Sequence, residues 1–145
     1  MSKTAIVIPT RLHSTRLRNK LLLDVCGKPL IWYTIQHALQ ASRCDFIIVA
    51  SEDDEILDVV DGFNFDVMPV KTRPASSGSD RIMSISELLK GFGVSYVVNL
   101  QGDEPMLTSD DINKVIDKSH CADVVTLSHD ATYEEYIDPN CVKVV

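Results

Sequence analysis

The sequence predicts an α/β domain: a Rossmann-like three-layer sandwich with a mostly parallel sheet. Three observations carry this. Short apolar runs alternate with single amphipathic stretches along the chain. The runs are continuous rather than alternating, as in strands buried on both faces. Polar, ligand-friendly segments follow several of them, where open α/β sheets bind their ligands.

The elements follow in order. Ala5-Ile6-Val7-Ile8 is a strand ended by Pro9. Pro29 opens a helix on which Ile31, Ile35 and Leu39 recur at one-turn spacing. Phe46 to Ala50 is the second strand, and Asp53 to Asp61 a helix with acids in its first turn and Gly62 as its stop. Phe65 to Val70 is a third strand, placed at an edge by Pro69, which cannot donate to a ladder. Asp80 to Lys90 is one helix, with Ile82, Ile85 and Leu89 on a face and Gly91 as its stop. Tyr96 to Leu100 is the fourth strand, and Gln101 to Pro105 a turn. Ser109 or Asp110 caps a helix carrying Ile112, Val115 and Ile116. Val124 to Leu127 and Val142 to Val145 are predicted as further strands. With 145 residues and no repeat or internal linker, residues 1–145 are expected to be one domain with its own core.

Composition excludes several function classes. The net charge of −7 argues against a general nucleic-acid binder, which carries a basic footprint. No apolar run approaches the roughly 18 residues that span a bilayer, and no signal-peptide architecture opens the chain, so a cytoplasmic protein without membrane insertion is expected. Cys26, Cys44, Cys121 and Cys141 are scattered, without a CxxC pair or nearby His. They are expected to be reduced and mostly buried thiols rather than disulfides or zinc ligands. The histidines have no Ser or Cys nucleophile partner, and only His13 falls in a candidate site.

The charge is uneven. Lys3, Arg11, Arg16, Arg18, Lys20 and Lys28 face only Asp24 within residues 1–28, a net +5, so the remainder stands at −12. A basic head on an acidic body fits a local anion site. Within it, Arg11, Arg16 and Lys20 can converge on phosphates, with Ser14, Thr15 and backbone amides as neutral donors. Both the P-loop and dinucleotide glycine patterns are absent, and a solvated basic loop is the competing explanation. Asp103, in the turn after the fourth strand, is a candidate Mg²⁺ ligand, with Gln101 beside it for a polyhydroxy substrate; ordinary turn chemistry explains an Asp-Glu pair equally well. Ser76-Ser77-Gly78-Ser79-Asp80-Arg81 enters a helix, and its spacing alone favours an ordinary capping loop over a ligand site.

These segments, in this order, resemble the 3-deoxy-manno-octulosonate (Kdo) cytidylyltransferases. That family's Pro-x-Arg-x-x-Ser-x-Arg-Leu-Pro-x-Lys and Gly-Lys-Pro correspond to Pro9 through Lys20 and to Gly27-Lys28-Pro29. Its Ser-Gly-Thr-Asp/Glu-Arg corresponds to Ser77-Gly78-Ser79-Asp80-Arg81, and its Asn-x-Gln-Gly-Asp-Glu-Pro to Asn99 through Pro105. Its Asn/Asp-Pro-Asn-x-Val-Lys-Val-Val corresponds to Asp138 through Val145. Four such matches in register span the whole chain.

The resemblance implies a fold of the nucleotide-diphospho-sugar transferase type and a reaction, CTP + Kdo → CMP-Kdo + pyrophosphate, for lipopolysaccharide precursors. It implies that Arg11, Arg16 and Lys20 hold the triphosphate and that Asp103 carries Mg²⁺. Ser14, Ser77, Gly78 and Arg81 would line the nucleotide side, and Gln101 the sugar side. A cytidylyltransferase for 8-amino-Kdo or a nonulosonic acid, or a non-catalytic nucleotide-binding remnant, is the alternative. Two departures stand out. Arg18-Asn19 replaces the family's usual Pro-Gly, and the segment before Ser77 lacks a frequent His and is a residue shorter. The resemblance covers the family's N-terminal portion; the rest would supply more of the sugar pocket, a second metal-binding Asp and much of a homodimer interface. The 145-residue chain alone is therefore expected to be weakly active or inactive.

Overall fold

The computed structural model describes residues 2–12 and 17–144. Its elements are β1 (Lys3–Thr10), a 3₁₀ turn (Lys20–Leu22), β2 (Asp24–Val25), β3 (Lys28–Pro29), α1 (Leu30–Leu39), β4 (Phe46–Ser51) and α2 (Asp54–Asp61). Then come β5 (Met68–Lys71), α3 (Gly78–Ser84), α4 (Ser86–Gly91), β6 (Val94–Asn99), α5 (Ser109–Lys118) and α6 (Tyr133–Ile137).

Four strands form a parallel sheet in the order β5-β4-β1-β6. The two central strands are the continuous apolar runs, and their alternation divides the core. Ile6 and Ile8 of β1, with Ile47 and Val49 of β4, face α1, α2 and α5 through Ile31, Ile35, Ile56, Val60, Ile112 and Ile116. Ala5 and Val7, with Ile48 and Ala50, face the other way, against Ile85 and Leu89. The period-2 geometry of a strand makes this split, and two covered faces explain why neither strand has a polar side.

Helix placement follows from handedness. The chain steps from β1 to β4 to β5 in one direction, so α1 and α2 lie on one face. It then returns past β1 to β6, and the right-handed crossover carries α3 and α4 over the opposite face. The reversal leaves a crevice between the C-terminal ends of β1 and β6, the topological switch point.

Several sequence expectations are corrected. The predicted single helix over Asp80–Lys90 is two helices, broken at Ile85 (φ −108°, ψ 14°). The helix stops fall where the sequence places them: Gly62 is the C-cap of α2 and Gly91 the last residue of α4, each followed two residues on by a left-handed residue, Asn64 (φ 52°) and Gly93 (φ 75°). Thr108, not Ser109 or Asp110, caps α5, in a reciprocal box with Asp111. Among the described residues, Val124 to Leu127 and Val142 to Val144 form no strand, and Val124 and Val142 are 86% and 97% exposed. High β-propensity makes a strand only beside a partner edge, and these segments meet none. Val145 lies outside the described residues. The thiols are unpaired, yet none is buried: Cys26 and Cys121 are exposed, Cys44 and Cys141 half-buried. Burial pushes the Cys44 thiol up from its ordinary value. No helix among the described residues is long and apolar enough to cross a membrane.

Candidate nucleotide site at the switch point

A cleft of about 220 Å³ opens at the switch point. Its walls are three segments at or beyond strand ends: Pro9, Thr10 and Arg11 at the end of β1, Ala75 and Ser77 before α3 with Gly78 and Arg81 in its first turns, and Gln101, Gly102 and Asp103 after β6. Lys20 and Leu21 close the fourth side. Residues far apart in sequence thus share one concavity, because parallel strands deliver all their C-terminal ends to the same edge.

The basic segment is anchored at both flanks. The Leu12 amide donates to Asp53 Oδ2 at 2.7 Å, and the Asn19 amide donates to the Leu12 carbonyl at 3.2 Å. Asn19 has φ 54°, a conformation that glycine adopts freely and Asn tolerates better than most residues. The residue that departs from the Pro-Gly pattern therefore keeps the backbone that the glycine would have supplied. Leu21, 8% exposed, plugs the 3₁₀ turn into the core and fixes the main chain of Lys20. Lys20 Nζ reaches across the cleft and donates to Asp103 Oδ2 at 2.7 Å. Ser14 and Arg16 lie outside the described residues, as do His13 and Thr15.

On the opposite wall Ser77 caps α3, its hydroxyl accepting from the Asp80 amide at 3.1 Å. The Ser76 and Ser77 hydroxyls hold the Asp80 carboxyl below the usual carboxylate range. Gly78 sits against β1: a Cβ there would lie 3.2 Å from Pro9 Cγ. Gly102 is as crowded, 3.3 Å from Thr10 Cγ2, and its carbonyl accepts from Thr34 Oγ1 at 2.9 Å. Both positions are tight enough that a side chain would require the neighbouring Pro9 or Thr10 to shift by a few tenths of an ångström.

Arg81 occupies the cleft floor, 2% exposed. Its Nη2 pairs with Glu52 Oε1 at 3.1 Å and its Nη1 donates to Thr72 Oγ1 at 2.6 Å. Its charge is thus already committed within the protein, and it holds the wall as well as lining it. Gln101 is exposed, donating weakly to Asn99 Oδ1 at 3.4 Å. Arg11 is exposed at the rim. Sequence reasoning missed Glu52 and Asp53, which act here through partners some 30 and 40 residues away. The signal available was their position directly after the second strand.

Among the described residues no group of three or more His, Cys, Asp or Glu side chains is placed to hold a metal ion. Asp103, with 41% of its side chain exposed, is the one acid lining the cleft among the described residues. A hard cation held by a single carboxylate takes its remaining ligands from water and substrate phosphates, as Mg²⁺ commonly does. Asp103 fits that mode.

A parallel α/β sheet whose polar loops meet at a topological switch point is the architecture of the Rossmann-like nucleotide-binding class. The chain belongs to the cytidylyltransferase family, whose model matches residues 5–145. It is 42% identical over 154 residues to the 3-deoxy-manno-octulosonate cytidylyltransferase of Francisella tularensis subsp. holarctica (strain LVS), covering 100% of this chain and 59% of that protein. It is 38% identical over 144 residues to the enzyme of the same name from Ruthia magnifica subsp. Calyptogena magnifica, covering 97% of this chain and 58% of that protein. The chain therefore spans somewhat more than half the length of these curated relatives. Among solved structures it resembles CMP:2-keto-3-deoxy-manno-octonic acid synthetase complexed with CTP, with a TM-score of 0.75 and 34% identity, over 86% of this chain and 50% of that one. A 4-diphosphocytidyl-2C-methyl-D-erythritol synthase shares the fold at 13% identity, with a TM-score of 0.66 over 84% of this chain and 56% of that one.

Proposed function

We propose that the protein transfers a cytidylyl group from CTP to Kdo, releasing pyrophosphate, in the cytoplasm and for lipopolysaccharide precursor synthesis. The observation that carries this reading is the convergence of the basic segment, the start of α3 and the Gln101-Gly102-Asp103 turn on one cleft, in a chain of this family. The sugar's anomeric hydroxyl gives up its proton to solvent and attacks the α-phosphorus; a new P–O bond forms and the bond to the pyrophosphate oxygen breaks. Such a transfer needs positioning and charge stabilisation more than covalent help.

The chain's own residues divide that work. Arg11, Arg16 and Lys20 hold the triphosphate, and their charge offsets what develops on the leaving pyrophosphate. Ser14, Ser77 and Gly78 approach the nucleotide with small side chains and backbone, Arg81 keeps that wall in place, and Gln101 orients the sugar. Asp103 holds Mg²⁺, which supplies Lewis-acid polarisation of the phosphoryl group when bound. The complete protein works as a homodimer whose remaining part finishes the sugar pocket.

Calorimetric titration of this chain with CTP and then ATP, in Mg²⁺, tests the reading. Binding that depends on Mg²⁺ and prefers CTP is expected. Equal affinity for both nucleotides, or none by a folded chain, counts against a cytidylyl site.

A further inference from the structure

We propose that Lys20 occupies the cation position on Asp103 until a polyphosphate arrives, so that divalent metal and triphosphate each bind poorly alone and strongly together. The inference rests on the nucleotide-site reading above and concerns how that site fills.

The Lys20–Asp103 contact spans 83 positions of sequence at 2.7 Å, with the two side chains 40% and 41% exposed. Asp103 is the cleft's one acid among the described residues. Its charge is therefore neutralised by an ammonium already in place. A free divalent ion must displace Lys20 to reach the carboxylate, and among the described residues of this chain no second cleft carboxylate compensates the exchange. A metal-free triphosphate meets the mirror obstacle: it must draw Lys20 off Asp103 and then tolerate the bared carboxylate nearby.

When both arrive, the obstacles cancel. The ammonium moves to phosphate oxygens and the carboxylate to the metal, so two ion pairs replace one and no charge is stranded. Lysine suits the exchange, being a compact point charge on a flexible stem. Its main chain stays fixed, because Leu21 is buried in the core and the Leu23 amide donates to the Lys20 carbonyl at 3.3 Å. Only the side chain needs to swing. The coupling must be reciprocal, each ligand raising the other's affinity by the same factor.

The test uses the whole chain, its Asp103→Asn and Lys20→Met variants, and two probes. CTP is titrated in EDTA by calorimetry, and Mn²⁺ is titrated alone by electron paramagnetic resonance. Asp103→Asn is expected to bind metal-free CTP about tenfold more tightly than the unaltered chain and to lose the gain that Mg²⁺ brings. Lys20→Met is expected to bind Mn²⁺ alone severalfold more tightly, since its alkyl stem remains and its charge does not. Both side chains are well exposed, so folding is expected to persist, checked by circular dichroism. If the unaltered chain binds Mg²⁺-CTP but either expected gain is missing, Lys20 is not a placeholder and the inference falls while the nucleotide site stands. If no form binds CTP in any condition, the nucleotide-site reading falls, and this inference with it.

Discussion

Arg81 Nη2 lies 3.1 Å from Glu52 Oε1, an ion pair that ties α3 to the C-terminal end of β4 across the cleft floor. The two partners are unequally buried, with 3% and 27% of their side chains exposed. Their removal should therefore have unequal consequences. Glu52→Ala strands a buried guanidinium and is expected to cost about 3 kcal/mol. Arg81→Met keeps an unbranched stem of similar reach and leaves a carboxylate that reaches water, at a cost of about 1 kcal/mol. Urea unfolding of both variants checks the order, and a costlier Arg81→Met would show that the guanidinium matters chiefly through Thr72.

Asp53 stands at the N-cap position of α2 but makes no side-chain cap there; its carboxylate is spent on the Leu12 amide. Asp53→Ala is expected to cost about 1 kcal/mol of stability and to release one flank of the basic segment. CTP affinity should fall about tenfold. Asp53→Asn, which keeps an acceptor oxygen, should recover most of it. An intact affinity in Asp53→Ala would mean that the segment is positioned from its other flank alone.

The β2–β3 hairpin turns on two residues with positive φ, Cys26 at 51° and Gly27 at 85°. That pattern asks for Asn-Gly. Cys26→Asn is expected to stabilise the chain by about 0.5 kcal/mol and to remove an exposed thiol. Gly27→Ala should cost about 1 kcal/mol although nothing lies within 4 Å of the added Cβ, so the effect is purely of backbone. Thermal unfolding of the two variants measures it.

The α5 cap gives a signed pH dependence. The Thr108 hydroxyl, then Lys114 and the Thr108 amide, hold the Asp111 carboxyl below its ordinary value of 3.8. A carboxylate whose pKa is depressed on folding stabilises the native state above the unfolded value. That contribution is lost as pH falls through the lower folded value. Asp111→Asn should thus melt earlier than the unaltered chain at pH 7, and the gap should begin to narrow at about pH 4 and close only once the pH is below the depressed folded value. A gap that persists at low pH would assign the effect to side-chain shape rather than charge.

Much of this was legible in the amino-acid sequence because it is local. Ala5 to Ile8 and Phe46 to Ala50 are apolar at every position, which only a doubly covered strand explains. Pro69 marks an edge strand, and Pro29 a helix start. Gly62 and Gly91 end their helices as expected, whereas the cap of α5 was misplaced by one or two residues, since neighbouring Thr, Ser and Asp residues offer near-equivalent local solutions and packing selects among them. The break at Ile85 was invisible for a related reason: Ile82, Ile85 and Leu89 satisfy one helical face as well as two short ones.

The sequence by itself determined the four strands of the parallel sheet, the segments that cover them as helices and the three polar segments near strand ends, because period and propensity act over a few residues. Only the tertiary structure decided that these segments meet. Strand order is not written in any local pattern; it emerges from which buried faces pair, and here it sets β1 beside β6 with the reversal between them. That juxtaposition puts Lys20 on Asp103, Leu12 on Asp53 and Gly78 against Pro9. Charge and hydrogen bonding act at contact distance, and for residues dozens of positions apart contact is a property of the fold.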